Sequence, residues 1–349
     1  MKAMVQMQTC DLRHAEDPLV LCDWKEPEPG PGEILIQVSA CGVCHTELDV
    51  IEGRTPPSRY PVIPGHQIVG RIIGMDEGVR DFDTGDRVGV GWIYNTCGTC
   101  VFCRSGLENL CTDFRATGRD AHGGYAERVA VPSRSVYRIP DGLTDIEAAP
   151  LLCAGAIGYR ALNLAGLKNG QTLGLTGFGA SGHLVLKMAR YRYPDSAVFV
   201  FARRERERRF ALELGAQWAG DTDDTAPHPC DALIDTTPAW KPVVEALRNL
   251  NRNGRLVINA IRKGDADRDN LLRLDYPVHL WMEKEIKSVA NITRNDIREF
   301  LDLAAEIPIR PEVERYAFWD ANRALHDLNA GRIRGAKVLE IQSGAAMDP

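Results

Sequence analysis

Short apolar runs bounded by glycine and proline fill the first part of the chain. Residues 34–38, 68–73, 86–90 and 125–131 are β-type runs, and turn-forming residues lie between them. Short strands separated by turn signals predict a small antiparallel β-barrel over residues 1 to about 150.

The pattern changes near residue 145, where a helical stretch begins at residues 145–149. Strands and helices then alternate, which predicts a parallel sheet covered by helices and an α/β fold class. A last strand at residues 337–341 is expected to return to the first domain. The predicted strands of the alternating region are residues 172–176, 197–201, 232–235, 255–259 and 286–289, and the predicted helices are residues 154–165, 183–192, 205–214 and 296–305.

The first turn of the alternating region is rich in glycine. Gly177, Gly179 and Gly182 form the pattern G-x-G-x-x-G between a predicted strand and a predicted helix. In that context the first glycine permits the turn, the second lets the backbone approach a pyrophosphate, and the third lets the helix pack on the strand. The pattern predicts a dinucleotide site, and a plain strand–helix turn is the alternative.

The end of the second predicted strand bears on the choice of dinucleotide. NAD-binding sites usually carry Asp or Glu there for the ribose hydroxyls, whereas this chain has Arg203 and Arg204. Arginine accommodates a 2′-phosphate, so the sequence favours NADP(H) over NAD(H). The alternative is that the arginines only lie in solvent at the start of a helix, where Glu205 and Glu207 partly offset their positive charge.

Four cysteines lie within fifteen residues of the first region. Cys97, Cys100, Cys103 and Cys111 have the spacing C-x2-C-x2-C-x7-C, which lets one loop place four thiolates around zinc. An iron–sulfur cluster is a second metal interpretation, but the fourth cysteine comes late and is followed by Thr112 instead of proline. Buried or disulfide-bonded cysteines are the interpretation without metal. Four protein ligands leave no open position, so the predicted zinc is structural.

Composition and charge narrow the expected binding partners and the expected cellular compartment. The chain has 349 residues, enough for two domains, and a net charge of −6, which disfavours nucleic acid and anionic membranes as partners. It has no run of about eighteen apolar residues, the length typical of a membrane-spanning helix. Residues 1–6 are predicted to begin a strand and carry no apolar signal region, so we expect a cytoplasmic protein.

Cys44, His66 and Cys153 lie in three separate segments of the chain. Spacing alone does not join residues so far apart, and a lone histidine such as His66 is more often a packed or surface residue. Alcohol dehydrogenases nevertheless hold their catalytic zinc with two cysteines and one histidine, and the fourth coordination position of the zinc stays open.

The chain resembles zinc-dependent medium-chain alcohol dehydrogenases over essentially its full length. Residues 288–294 (SVANITR), together with residues 151–155, resemble a bacterial subgroup labelled cinnamyl-alcohol-dehydrogenase-like, a label that establishes no substrate. The other motifs that carry the resemblance are residues 42–46 (GVCHT), 64–66 (PGH), 85–88 (GDRV), 123–127 (GGYAE), 152–155 (LCAG), the four-cysteine segment and the glycine-rich turn.

The resemblance implies an arrangement of domains. Residues 1–150 would form a GroES-like β-barrel catalytic domain, with a structural zinc lobe at residues 95–113. Residues 151–290 would form a doubly wound Rossmann domain that binds the cofactor, and residues 291–349 would return to complete the catalytic domain. Family members are homodimers or homotetramers.

The resemblance also implies residue roles. Cys44, His66 and Cys153 would hold a catalytic zinc, which gives two zinc ions per chain together with the structural one. Thr46 matches the Ser/Thr that hydrogen-bonds the substrate alcohol.

Two further residues match family positions near the cofactor, and a third is a candidate for the substrate pocket. His45 and Arg294 match residues that reach the cofactor's phosphate groups. Trp92 is a candidate wall of the substrate pocket, and a packed core tryptophan is the equal alternative.

Three positions depart from the family pattern. The family usually has Glu after the zinc-binding histidine, where this chain has Gln67. Glu47 replaces an Asp that supports that histidine and can still accept its hydrogen bond. Asp49 stands where many members have a relay histidine, and it offers a different route for the proton to solvent.

These observations predict reversible hydride transfer between a primary or secondary alcohol and NAD(P), catalysed by a zinc-dependent alcohol dehydrogenase or aldehyde reductase. A zinc-free quinone or enoyl reductase would lack the ligands present here. A polyol dehydrogenase often has Glu as the third ligand, where this chain has Cys153. A zinc-stabilised NADP(H)-binding redox sensor without turnover is the alternative of another class, and the departures at positions 47, 49 and 67 leave room for it.

Overall fold

The computed structural model describes residues 1–307, 309–332 and 334–341. Over these residues, no helix combines the length and the apolar character needed to cross a membrane. The chain separates into two compact units. Unit 1 comprises Met1–Cys153 and the chain from Ile292 onward, and unit 2 comprises Ala154–Asn291.

The helices and strands follow in chain order. The strands are β1 Lys2–Val5, β2 Val20–Asp23, β3 Glu33–Val43, β4 Ile68–Met75, β5 Arg87–Val90, β6 Ile93–Asn95, β7 Arg115–Ala116, β8 Arg128–Pro132, β9 Val136–Arg138, β10 Leu173–Thr176, β11 Val198–Phe201, β12 Trp218–Gly220, β13 Cys230–Asp235, β14 Leu250–Ile258, β15 Glu285–Ser288, β16 Val313–Ala317 and β17 Ala336–Glu340. The α-helices are α1 His45–Ile51, α2 Val101–Arg104, α3 Asp145–Pro150, α4 Ala156–Ala165, α5 Ala180–Arg192, α6 Glu205–Glu213, α7 Lys241–Asn249, α8 Tyr276–His279, α9 Arg294–Glu306 and α10 Ala321–Asn329. A π-helical turn covers Leu151–Gly155, and 3₁₀ turns cover Glu108–Leu110, Ser133–Ser135, Arg268–Arg273 and Phe318–Asp320.

Unit 1 is built around the long strand β3. Its main sheet has the order β16-β17-β3-β4-β5-β9, and β8 also pairs with β3. All of these pairs are antiparallel except β16 with β17. Along β3, Ile34, Ile36 and Val38 are buried and the residues between them are half-buried, because successive side chains in a strand face opposite sides of the sheet.

Unit 2 contains a six-stranded parallel sheet. Its order is β12-β11-β10-β13-β14-β15, so the order reverses between β10 and β13. Every residue of β10 and β11 is buried, as expected for a sheet covered by helices on both faces. The predicted doubly wound parallel sheet is thus confirmed.

Some elements differ from the pattern predicted by the sequence. The strand predicted at residues 125–131 begins only at Arg128. The backbone of Tyr125 is used elsewhere: its N–H donates to Pro64 O at 3.0 Å, and its carbonyl oxygen accepts from Met4 N at 2.8 Å. The helical stretch around residue 150 is interrupted by the π-helical turn. The elements that were not predicted are β2, β6, β7, β9, β12, β16, α1, α2, α7, α8 and α10.

A buried histidine lies in helix α5 of unit 2. His183, in α5, is fully buried, and its Nδ1 lies 3.0 Å from the Gly179 carbonyl oxygen. Burial disfavours the charged imidazolium and lowers the pKa of His183 to about 4. The folded protein therefore binds this proton less readily than the unfolded chain, so folding stability falls as the pH drops through the range between 6.5 and 4.

His183→Gln should flatten the dependence of stability on pH. Between pH 7.5 and pH 5 the wild-type histidine should contribute a loss of about 2 kcal/mol in the free energy of unfolding, since one pKa unit corresponds to about 1.4 kcal/mol. Glutamine does not titrate, and the exposed His228 provides the control His228→Gln. Denaturant unfolding of the three proteins at both pH values measures the difference, and equal slopes in all three would contradict the assignment.

Candidate active site and metal centres

Strand β3 leads directly into the first candidate ligand. Cys44 follows the strand and precedes α1, and its backbone N–H donates to Glu47 Oε2 at 2.8 Å. The loop before β4 carries His66 after Gly65, whose φ is +95°. A Cβ on Gly65 would lie 2.4 Å from the Tyr125 ring, so glycine is required for the close approach of this loop.

Three side chains that are distant in sequence come together in unit 1. The sulfur atoms of Cys44 and Cys153 and a ring nitrogen of His66 lie within 4.8 Å of one another. Cys153 lies on the π-helical turn, an irregularity that is frequent at functional sites. The structure thus brings together the three residues that the family resemblance groups.

Glu47 orients the histidine of this group. Its Oε1 lies 2.5 Å from His66 Nδ1, and both side chains are buried. His66 Nε2 is buried and has no hydrogen-bond partner among the described residues. An imidazole held by a carboxylate through one nitrogen and free at the other is the arrangement of zinc-binding histidines. Two sulfur atoms beside that free nitrogen complete a donor set that fits zinc.

The pKa values of the same three residues depart from their ordinary values. A hydrogen bond from the Cys153 thiol lowers the pKa of Cys44, while that bond and burial raise the pKa of Cys153. Burial opposes protonation of His66, but the negative charges of Glu47 and Cys44 outweigh it and raise the pKa of His66 to about 10. Because a metal ion binds the deprotonated ligands, its binding must displace these protons.

Helix α1 presents the other predicted catalytic residues. Thr46 Oγ1 lies 3.6 Å from Cys44 Sγ, and His45 is exposed. Asp49 is buried, and its Oδ1 accepts a hydrogen bond from Arg54 Nε at 2.5 Å. Arg54 was not predicted as a site residue, although it lies only five positions from Asp49.

Trp92 and Gln67 surround the histidine and the strand before Cys44. Trp92 is buried and packs edge-on against His66, with ring centroids 4.9 Å apart. The guanidinium of Arg119 lies 5.5 Å from the centroid of the Trp92 ring. Gln67 is buried, and a Cβ on Gly42 would lie 2.7 Å from its amide carbon. Gln67 therefore packs directly on the backbone that leads to Cys44.

The four cysteines of the predicted lobe converge around α2. Cys97 Sγ lies 3.9 Å from Cys103 Sγ and 3.5 Å from Cys111 Sγ. A disulfide would need about 2.05 Å, whereas thiolates about 2.3 Å from a common zinc would be roughly 3.8 Å apart. The backbone N–H of Cys100 donates to Cys97 Sγ at 3.3 Å, and that of Cys103 donates to Cys100 Sγ at 3.4 Å. The spacing of the sulfur atoms fits a tetrahedral metal ion.

The glycine-rich turn of unit 2 connects β10 to α5. Gly177 has a φ of +77°, and a Cβ there would lie 2.8 Å from Thr237 Cγ2. Gly179 is the N-cap of α5, and a Cβ on Gly182 would lie 2.9 Å from the Gly177 carbonyl oxygen. Backbone N–H groups at such a helix start form a cradle for a phosphate group.

The two predicted 2′-phosphate ligands follow β11. Arg203 is exposed, and its guanidinium has no hydrogen bond or ion pair within the described residues. Arg204 lies 3.9 Å from Glu207, one turn along α6. Arg208 Nη1 donates to the carbonyl oxygens of Ala202 and Arg203, at 2.8 Å and 3.2 Å, and so fixes the backbone between β11 and α6.

Arg294 lies at the start of α9 in unit 1. Its backbone N–H donates to Glu108 Oε1 at 2.7 Å, and its Nη1 donates to Thr96 Oγ1 at 3.3 Å. Nε and Nη2 are buried and have no acceptor among the described residues. Glu108 was not predicted as a partner, because it lies far away in sequence, in the segment between Cys103 and Cys111.

Comparison with known proteins gives a family for this fold and site. The family model described as "Alcohol dehydrogenase GroES-like domain" matches residues 30–141. A probable alcohol dehydrogenase AdhA of Mycobacterium tuberculosis (strain CDC 1551 / Oshkosh) is 45% identical over 329 residues, which are 93% of this chain and 93% of that protein. An alcohol dehydrogenase of Geobacillus stearothermophilus is 31% identical over 347 residues, 96% of this chain and 99% of the relative.

A solved structure agrees with these sequence matches. The cinnamyl alcohol dehydrogenase SbCAD4 from Sorghum bicolor superimposes with a TM-score of 0.86 at 28% identity, over 100% of each chain. The chain therefore belongs to the alcohol dehydrogenase family and is an oxidoreductase. The predicted resemblance, the GroES-like domain and the enzyme class are confirmed, and the names of these relatives do not support a sensor without turnover.

Proposed function

We propose that the protein catalyses the reversible oxidation of a primary or secondary alcohol to an aldehyde or ketone with NADP(H), and that it holds two zinc ions per chain. The proposal depends on the group of Cys44, His66 and Cys153, in which both cysteines are half-buried and the buried His66 Nε2 has no partner within the described residues. Three protein donors leave one coordination position for the substrate oxygen.

The metal and the cofactor supply the chemistry that side chains lack. Bound zinc would act as a Lewis acid on the hydroxyl or carbonyl oxygen, and the nicotinamide ring would accept or return the hydride. Glu47 holds His66 in the orientation that leaves Nε2 facing the two sulfur atoms. Because Thr46 Oγ1 lies 3.6 Å from Cys44 Sγ, we assign to its hydroxyl the role of taking the substrate's proton. Asp49 is the acidic end of the route to solvent, and Arg54 keeps its carboxylate in place.

Two arginines support the choice of NADP(H), and a third supports the binding of a phosphate group. Arg203, whose guanidinium has no hydrogen bond or ion pair among the described residues, suits a 2′-phosphate together with the neighbouring Arg204. Gly177, with the N-terminus of α5, suits the pyrophosphate. Arg294 has two buried N–H groups that a phosphate oxygen would satisfy, which supports its proposed role. We also assign His45, an exposed side chain beside Thr46, to the cofactor's phosphate groups.

We propose that residues 1–150 and 291–349 act as the catalytic domain and residues 151–290 as the cofactor domain.

All ten cysteines are free thiols, which supports a reducing cytoplasm. β15 ends its sheet with exposed side chains. An exposed edge can pair with the same edge of a second copy, which supports a homodimer or homotetramer.

Turnover of simple substrates tests the function. Purified protein should oxidise NADPH faster than NADH with benzaldehyde or hexanal. Thr46→Val should lower kcat by about 100-fold, because it removes the hydroxyl that transfers the proton while keeping the shape of the side chain. Thr46→Ser retains the hydroxyl and is the matched control, which should stay within a few-fold of wild type. No turnover by the zinc-loaded wild type would overturn the proposed function, and equal rates for the Val and Ser variants would exclude the role of Thr46.

Zinc content tests the two ligand sets separately. Cys100→Ser should lose the zinc of the lobe and Cys44→Ser the catalytic zinc, so each should hold one ion fewer than wild type by atomic emission. Cys22→Ser changes a half-buried thiol outside both sets and should keep the wild-type content. Wild-type protein that holds a single zinc, or a loss in the Cys22 variant, would contradict the two-site assignment.

Arg203 provides the test of cofactor choice. Arg203→Ala should raise the dissociation constant for NADPH by about 10-fold or more, the scale of a lost hydrogen bond to a charged group, and leave that for NADH unchanged. Arg209→Ala is the control, because Arg209 lies on α6, the helix that follows Arg203, and is 3.7 Å from Glu205. Fluorescence titration measures both constants. A parallel loss for both cofactors would argue against recognition of the 2′-phosphate.

A further inference from the structure

A buried lysine–aspartate pair joins two loops at the carboxyl edge of the parallel sheet. Asp235 is the last residue of β13 and is fully buried. Lys263 lies in the segment after β14, with 7% of its side chain exposed. Its ammonium group contacts Asp235 Oδ2 and donates to the Thr237 carbonyl oxygen at 2.7 Å.

The other oxygen of the Asp235 carboxylate is occupied as well. Oδ1 accepts hydrogen bonds from Thr176 Oγ1 at 2.6 Å and from Thr237 Oγ1 at 2.8 Å. A carboxylate this deeply buried is stable only when its charge and its lone pairs have partners. The network therefore fixes the course of the backbone at residues 236–238, directly after β13.

Residues 236–238 contact the glycine-rich turn. Thr236 Oγ1 donates to the Thr176 carbonyl oxygen at 3.0 Å and lies 3.5 Å from that of Gly177. The space in front of Gly177 is limited by Thr237, since a Cβ there would come within 2.8 Å of Thr237 Cγ2. A displacement of either threonine would thus change the shape of the turn.

The position of the network in the sheet makes this contact relevant to binding. Thr176 and Asp235 pair at the ends of β10 and β13, the two strands between which the sheet order reverses. Dinucleotides bind at this point of such sheets. Two backbone bonds run beside the ion pair: Asn259 N donates to Asp235 O, and Gly264 N donates to Pro238 O, both at 2.7 Å. The loops after β13 and β14 are therefore fastened together at this edge.

We propose that Lys263 is a positioning residue for the dinucleotide. Through Asp235 it holds residues 236–238 against the Gly177 turn, so that the turn has its phosphate-binding shape before the cofactor arrives. A preformed site binds more tightly because less ordering accompanies binding. This inference rests on the proposed function, since it takes NADP(H) or NAD(H) as the ligand of the turn.

Lys263→Met tests this role by direct binding. The variant keeps the length of the side chain but leaves the Asp235 charge without its cation, so residues 236–238 should shift. We expect the dissociation constant for NADPH, measured by nicotinamide fluorescence, to rise about 10-fold or more. The KM for NADPH should rise in parallel, and kcat at saturating cofactor should fall less than about 3-fold. Lys241→Met removes an exposed Lys–Asp pair from the same unit and should bind as wild type does.

The double variant Asp235→Asn, Lys263→Met separates positioning from direct contact. The asparagine oxygen can still accept from Thr176 and Thr237, and no buried charge remains, so NADPH binding should recover to within about 3-fold of wild type. Failure of the double variant to recover would mean that the lysine contacts the cofactor itself, and binding by Lys263→Met equal to that of Lys241→Met would mean that the pair has no role. Either result overturns the proposal.

Thr237→Val keeps the proposal testable if Lys263→Met does not fold. Valine retains the shape and the ion pair but removes the hydroxyl that donates to Asp235, so NADPH should bind measurably more weakly, by about 3-fold or more. Unchanged binding would overturn the role of the network. Wild-type protein that binds neither NADPH nor NADH would instead refute the proposed function, so the two failures are distinguishable.

Discussion

The buried carboxylate of Glu47 connects the two segments that carry Cys44 and His66. One of its oxygen atoms accepts from the backbone at the start of α1, and the other lies against His66 Nδ1. A buried carboxylate must keep its partners, so the end of β3 and the loop before β4 hold each other in place. Other residues of the candidate active site lie next to Cys44 and His66. Thr46 lies beside Cys44, and Trp92 packs against the His66 ring.

The same principle operates in unit 2, on a second buried carboxylate. Asp235 gathers Thr176, Thr237 and Lys263 at the ends of β10 and β13. In each unit a buried acid fixes a short segment beside a strand end: Glu47 fixes the segments that carry Cys44 and His66, and Asp235 fixes residues 236–238, which pack against the Gly177 turn. Rigid strands bring these segments close to their final positions, and the charged group removes the remaining freedom.

Features contained in one short stretch were predictable, and features assembled from distant segments were not. The four-cysteine lobe and the Gly177 turn depend on local spacing, and the parallel sheet follows from the alternation of apolar strands and helices. No spacing rule joins Cys153 to Cys44, so their grouping came only from family resemblance. The pairing of Lys263 with Asp235 left no sequence signal, whereas α7 did leave one: Pro242 in its first turn, with Val243, Val244 and Leu247 buried at helical spacing.

The pairing of β17 with β3 has a consequence for synthesis of the protein on the ribosome. Val43, the residue before Cys44, has Lys337 as its strand partner. This part of the main sheet of unit 1 therefore cannot form until residue 337 has been synthesised and has left the ribosome. Unit 2 consists of one continuous segment that ends at Asn291. Since domains fold as units while translation proceeds, unit 2 can reach its native state first. Unit 1 completes its main sheet only after β17 has been translated.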